Sequence, residues 1–516
     1  LAEILILESD TRDSFIDLPD GRPLFLACHP RQLLLRSGSS RSRRRFPNND
    51  FPEISAAPSL RPVMRLKTIF LVVLAFNVNV SARAGSATWN ALPVDNDWYN
   101  AENWTPMTVP NGPNDMATVG SSTVGPILFP EHSATELDSL ILHDDAQVTL
   151  VGFITLIFGG AGLSGDTFSN GPDLQAGSSL IFRNSAVCGI DFYNYGSITF
   201  EDTSSCGYIR NRNEITFRDS SVSDGVECDS GSVTSFEDQS VAQDAGFSVG
   251  GVLYFNDDST ADGASISVGG VMDISGHNPG GLAIELLGFS GGDIYLGSNT
   301  LSVTKRDAIF NFSGSFHDGG VYGGAGGSLT KVGGSEDILG LTGASDYSGG
   351  TFIEGGVLLI KNTTGSATGS GPVQVNEGVL EGGGTVTGPV IIGAKGAIVP
   401  GNGKPEAVTF VITNSLELTP HSQYRCGIDS QKGRTARIRA RGVTIQRGAA
   451  IKFSDRTGGQ FAVGRSFTII DNTSNAPIAG TFRKLPEGST VTVGNNIYEA
   501  SYSGGGGNDL TLTVVE

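Results

Sequence analysis

Five residues in the middle of the chain carry side-chain oxygens at a nearly constant spacing. They are Asn184, Asp202, Asp219, Asp238 and Asp257, at steps of 18, 17, 19 and 19. Oxygen donors repeated in this way suit a hard cation such as calcium, held between successive copies of a repeat. Asp and Asn just after a strand also hydrogen-bond the nearby backbone to form a turn, and their position favours that structural role. Cys188 and Cys206 share one slot of the same repeat. If the copies stack, their Cα atoms fall within the roughly 4.4–6.8 Å that a disulfide needs. The pair is therefore a candidate disulfide, the alternative being that each thiol fills an alanine-sized hole.

Other chemistry is sparse. Arg437, Arg439 and Arg441 alternate along "GRTARIRARGV", with Arg434 out of phase, as a basic strand face that could grip an anionic glycan or simply balance an acidic chain. The terminal "GGGGND" (504–509) partly fits a calcium-binding nonapeptide, but a single copy with Thr511 at the apolar position reads as a glycine-rich hairpin turn. The six histidines (29, 132, 143, 277, 317, 421) are scattered, and no His-Glu-x-x-His, Gly-x-Ser-x-Gly or Cys-x-x-Cys occurs. No catalytic or cofactor-binding residue is singled out.

The elements that position these residues follow from the same period. Phe182, Phe200, Phe217, Phe236 and Phe255 recur two residues before each Asn or Asp, with Ile274 taking the next slot. Within a copy the pattern alternates, as in Ile198 and Phe200 against Thr199 and Glu201, which predicts short strands. Strands this short close a core only by stacking, so the repeat predicts one coil of a β-solenoid with like residues aligned at roughly 4.8 Å. The slot six residues after each Phe holds Cys188, Cys206, Ser223, Ala242 and Ala261, all small enough for a tight corner.

Residues 328–401 resemble the autotransporter-associated β-strand repeat, also called the passenger-associated transport repeat. Leu329, Lys331, Gly333, Leu341, Gly343, Tyr347, Gly349, Gly350, Thr351, Gly356 and Leu358 match its pattern. An insertion around Ser335–Asp337, and Ser345 in place of the usual Asn, depart from it. The segment with Trp89, Trp98, Trp104, Pro110 and Asp115 is similar to the entry of long planctomycete-type members, and the ending "YEASYSGGGGNDLTLTVV" to their final strand pair. The resemblance implies an all-β, right-handed parallel β-helix that is exported and passenger-like.

Composition frames the organisation. Met64–Ala84 has a basic start, an apolar stretch and Ala82-Arg83-Ala84, which reads as a signal peptide cleaved between Ala84 and Gly85. Its apolar part is too short for a membrane span. Residues 1–63 then read as a disordered, misassigned upstream extension; a longer leader around Ser42–Phe46 is the alternative. The expected regions are entry coils at 85–176, short Phe-x-Asp coils at 177–275, autotransporter-associated repeat coils at 276–403 and a β-strand region at 404–516. Residues 85–516 carry 22 Lys and Arg against 45 Asp and Glu, a net charge of −23, which disfavours nucleic acid and anionic membranes as partners. The 115 residues after Gly401 are too few for a translocator barrel of alternating ten-residue strands. The expectation is an exported structural or adhesive protein at a bacterial surface or outside the cell. It would meet the export machinery and then carbohydrate or other surface molecules, with no cofactor and no catalysis. A polysaccharide lyase or hydrolase on the same scaffold is the alternative.

Overall fold

Alternation becomes strand wherever one face is buried. Along Ser197–Phe200 and Glu214–Phe217, Ile198, Phe200, Ile215 and Phe217 are buried, while the residues between them face outward. The computed structural model describes residues 85–516 except 121–124, 130–133, 144–145, 151–153, 166–172, 244–245, 262, 279–280, 287–290, 305–308, 402–406 and 456. The expected extension 1–63 and signal peptide 64–84, with Ala84, lie outside the described residues. The protein is all-β: the described residues contain no α-helix, only a short 3-10 turn at Ala101–Asn103. Among the described residues, no helix is long and apolar enough to cross a membrane.

Most strand pairs are parallel, and each strand pairs with its counterpart one repeat later. Ser179–Phe182, Ser197–Phe200, Glu214–Phe217, Val233–Phe236 and Val252–Phe255 form one such ladder with no slip of register. A second ladder runs through Val187–Cys188, Ser205–Cys206, Val222–Ser223 and Val241–Ala242. A third, in another sheet, joins Tyr193–Asn194, Ile209–Asn211, Val226–Cys228 and Gly246–Val249. Each repeat of 17–19 residues thus supplies three short strands.

The register aligns equal side chains. Phe182, Phe200, Phe217, Phe236 and Phe255 are fully buried and stack ring on ring, with centroids 4.6–5.1 Å apart and planes within 13°. Offset ring stacking adds roughly 0.5–1.5 kcal/mol per pair to the burial of each ring. Ile274 continues the slot, also fully buried. Beside this column runs one of polar turns.

Glycine decides one corner. A Cβ on Gly270 would lie 2.2 Å from the Gly251 carbonyl oxygen, on Gly292 2.0 Å from that of Gly270, and on Gly314 1.8 Å from that of Gly292. Rung-to-rung backbone approach here leaves no room for any side chain.

The two ends of the described chain are built differently from the middle. At the start, Trp98 packs edge-on against Trp104 (4.6 Å) and stacks on Phe129 (4.3 Å), with Trp89 against Trp104 (5.0 Å). Two of the indoles are anchored, Trp104 Nε1 donating to the Trp98 carbonyl and Trp98 Nε1 to that of Pro110. At the other end a 7-stranded sheet changes direction. Thr409–Ile412, Arg437–Ala440 and Ser466–Asn472 are parallel, after which Asp509–Val514, Asn496–Gly504 and Thr490–Val493 join antiparallel.

Candidate functional surface

The acidic column is a row of strained turns. Asn184, Asp202, Asp219, Asp238 and Asp257 all adopt left-handed backbone, φ between 52° and 57°. Asn and Asp tolerate that region because their side chains bond the backbone locally. Here the bond runs to the neighbouring rung. The Asp202 carboxylate accepts the Asn184 amide (2.8 Å), Asp219 that of Asp202 (3.0 Å), Asp238 that of Asp219 (3.2 Å) and Asp257 that of Asp238 (3.3 Å). The outer edge of the column opens on a groove of about 500 Å³ lined by Asp219, Asp238, Asp257, Asp258, Gln239 and Asn278. Among the described residues, no three His, Cys, Asp or Glu side chains gather as metal ligands.

Cys188 and Cys206 are register partners on adjacent parallel strands, and both are free thiols. Their sulfurs engage other groups, Cys188 Sγ the Ile190 carbonyl and Cys206 Sγ the Ser223 hydroxyl on the following rung, each at 3.6 Å. Burial pushes the Cys188 thiol up to about 12 and Cys228 and Cys426 to about 11, and raises Cys206 as well. Thiols so far from ionising are poor nucleophiles.

The remaining residues singled out from the sequence do not gather at one site, although Arg437 and Arg439 share the outward side of the strand Arg437–Ala440. Arg439 pairs with Asp471 (2.8 Å) and Arg437 donates to the Thr409 hydroxyl (3.0 Å), while Arg434 sits on a separate short strand and pairs with Asp429 (3.2 Å). "GGGGND" makes the turn between the last two strands. Its Asp509 accepts the Asn472 amide (2.9 Å) and Asn508 donates to the Asn472 carbonyl (2.8 Å), locking the point where the sheet reverses direction. His317 stacks on Tyr295 and lies between Asp346 (2.8 Å) and Asp293 (3.5 Å), a link across three rungs. Gly85 is the first described residue.

One surface escaped the sequence analysis. In the third ladder, outward positions align Tyr193 with Arg210 and Glu227. Two residues on, Tyr195, Arg212 and Asp229 repeat the same order of phenol, guanidinium and carboxylate. Arg212 lies over both rings, 4.4 Å from the Tyr193 centroid and 5.2 Å from that of Tyr195, and Arg210 is 5.1 Å over Tyr193. Arg210 and Arg212 donate to the hydroxyls of Tyr193 and Tyr195 and pair with Glu227 (3.3 Å) and Asp229 (2.8 Å). Tyr208 donates to Glu227 at 2.9 Å; burial, and the carboxylate beside it, push its phenol pKa above the ordinary value, so the hydroxyl keeps its proton. The legible signal was Tyr-x-Tyr followed seventeen residues later by Arg-x-Arg, both at strand period.

No family model matches the chain, and no curated protein matches it.

Proposed function

We propose that residues 85–516 form a right-handed parallel β-helix of the autotransporter-associated, passenger-like kind. In this reading the protein is exported and serves as a structural or adhesive component at the surface of a bacterium or outside it, without catalysing a reaction. One observation carries the proposal: the unbroken parallel register in which five phenylalanines stack while the outward positions of successive rungs line up. A scaffold of this kind repeats its outer faces, and repeated faces suit many weak, multivalent contacts better than one reacting centre. The signal-like segment at 64–84 and the repeat resemblance at 328–401 support export.

The test is fractionation of the native cell, followed by screening of the recovered protein against polysaccharides for both binding and degradation. The expected result is protein in the surface or extracellular fraction, beginning at Gly85, that binds without releasing fragments. Recovery from the cytoplasm overturns the proposal. Release of oligosaccharides moves the function to a carbohydrate-active enzyme on the same scaffold.

A further inference from the structure

The face carrying Tyr193, Tyr195 and Tyr208 is unlike the outward face of the rungs that follow. Its three phenols are 40%, 41% and 37% exposed, whereas the next rung places Ser248 in register with Glu227. Phenol rings left at the surface offer apolar faces and polar edges together. They are also held still. Each of the two arginines is fixed by a tyrosine hydroxyl and by a carboxylate, and Arg212 spans both rings. A surface fixed before it meets a ligand loses less side-chain freedom on binding.

Charge selects among ligands. Within the face, Arg210 and Arg212 are matched by Glu227 and Asp229, so the patch has no net charge to offer. Around it, residues 177–275 carry 4 Lys and Arg against 15 Asp and Glu. Such a field repels polyanions at moderate ionic strength. Three rings on adjacent strands also make a surface smaller than the roughly 800 Å² per partner of a stable protein interface.

We infer that the Tyr193–Tyr195–Tyr208 face, with Arg210 and Arg212, is a binding platform for a neutral glycan. Sugar rings present C–H faces to the phenol surface that Arg210 and Arg212 leave exposed, and hydroxyls to the guanidinium and carboxylate groups. Successive rungs, about 4.8 Å apart, let one short oligosaccharide meet all three phenols. The inference rests on the adhesive role proposed above and names the partner for it.

The experiment is calorimetric titration of the full chain with cellohexaose, mannohexaose and xylohexaose, and with hexagalacturonate as the anionic counterpart. At least one neutral hexaose binds, and hexagalacturonate binds at least tenfold more weakly. Tyr193→Ala and Tyr195→Ala each weaken binding tenfold or more, and Arg212→Lys, which removes the planar group over both rings, weakens it severalfold. Tyr322→Ala, at an exposed tyrosine elsewhere, leaves it unchanged. The replaced rings are surface groups, and unchanged circular dichroism certifies each variant. Absence of binding to all three neutral hexaoses overturns the platform, as does binding indifferent to Tyr193→Ala or a preference for hexagalacturonate. Tyr193-dependent attachment to native envelopes that survives enzymatic removal of their glycans overturns it in favour of a protein partner. If the hexaoses fail while the chain still attaches to native envelopes, the platform falls and the adhesive role stands.

Discussion

The repeats at 177–275 and the strands at 404–516 solve the same problem, burying short strands, in opposite ways. In the repeats the core, turn and corner contacts are copies: Phe on Phe, Asp to the amide before it, small residue on small residue. In the last 113 residues the contacts are individual. Tyr424 donates to the Ile469 carbonyl, Tyr502 to that of Leu485, and Asn472, Asn508 and Asp509 interlock once. Their charge differs too, with 13 Lys and Arg against 9 Asp and Glu at 404–516. A stack of copies has no internal reason to stop, and its last strand would expose an unpaired edge. After Ser466–Asn472 the pairing turns antiparallel, so the difference marks propagation by parallel copies in one region and a change of pairing in the other.

The largest expected effect tests whether the stack behaves locally. Phe217→Ala opens a cavity between Phe200 and Phe236 and costs about 3–5 kcal/mol. Because copies contact chiefly their neighbours, hydrogen exchange should quicken around residues 198–237 and stay unchanged at 490–514. Equal loss of protection in both regions would break the comparison. The cysteines give a second readout: Cys206 and Cys228 should become open to iodoacetamide at pH 8 in this variant while Cys426 stays closed, the four cysteines among the described residues being buried in the parent.

Smaller effects separate backbone fit from side-chain fit. Gly292→Ala forces a methyl onto the Gly270 carbonyl and should cost about 1–3 kcal/mol, whereas Gly246→Ala, with open space around the new methyl, should stay within about 0.5 kcal/mol by chemical denaturation. Asp219→Ala loses the bond from the Asp202 amide and leaves an ordinary side chain at φ 56°, for about 1–2 kcal/mol. Asp219→Gly, which relieves the backbone but not the lost bond, should recover part of that. If Asp219→Gly is as damaging as Asp219→Ala, the left-handed turn contributes nothing.

The smallest effect lies in the terminal region. Tyr498 buries its hydroxyl without a hydrogen-bond partner, and burial pushes that phenol up to about 12. Tyr498→Phe should leave stability unchanged or raise it by up to about 1 kcal/mol. A clear loss in the melting curve would mean that the hydroxyl has a partner in solution and that the antiparallel strands depend on it.

Much of this was legible in the sequence because the signal was repeated. Five copies of Phe, spacer and Asp or Asn reveal both the strand and the turn, and the small slot after them marks the corner. The direction of the bonds was not legible. That Asp219 serves the amide of Asp202, seventeen residues earlier, depends on rungs lying side by side, and a single copy reads equally well as a local cap. The cysteines show the same limit: their slot could be read, but the paths of the two sulfurs, toward Ile190 and Ser223, could not.

The sequence by itself determined what repeats: period-two alternation, the 17–19-residue step and the small or left-handed-tolerant residues at corners are all local properties. Only the tertiary structure decided what meets across rungs. Parallel pairing brought Tyr193, Arg210 and Glu227 into one line, although thirty-four residues separate the first from the last and none of them repeats. Side chains that recur advertise their column in the sequence, whereas unlike residues such as Tyr193 and Arg210 leave only a spacing there, and backbone hydrogen bonds set which of them meet.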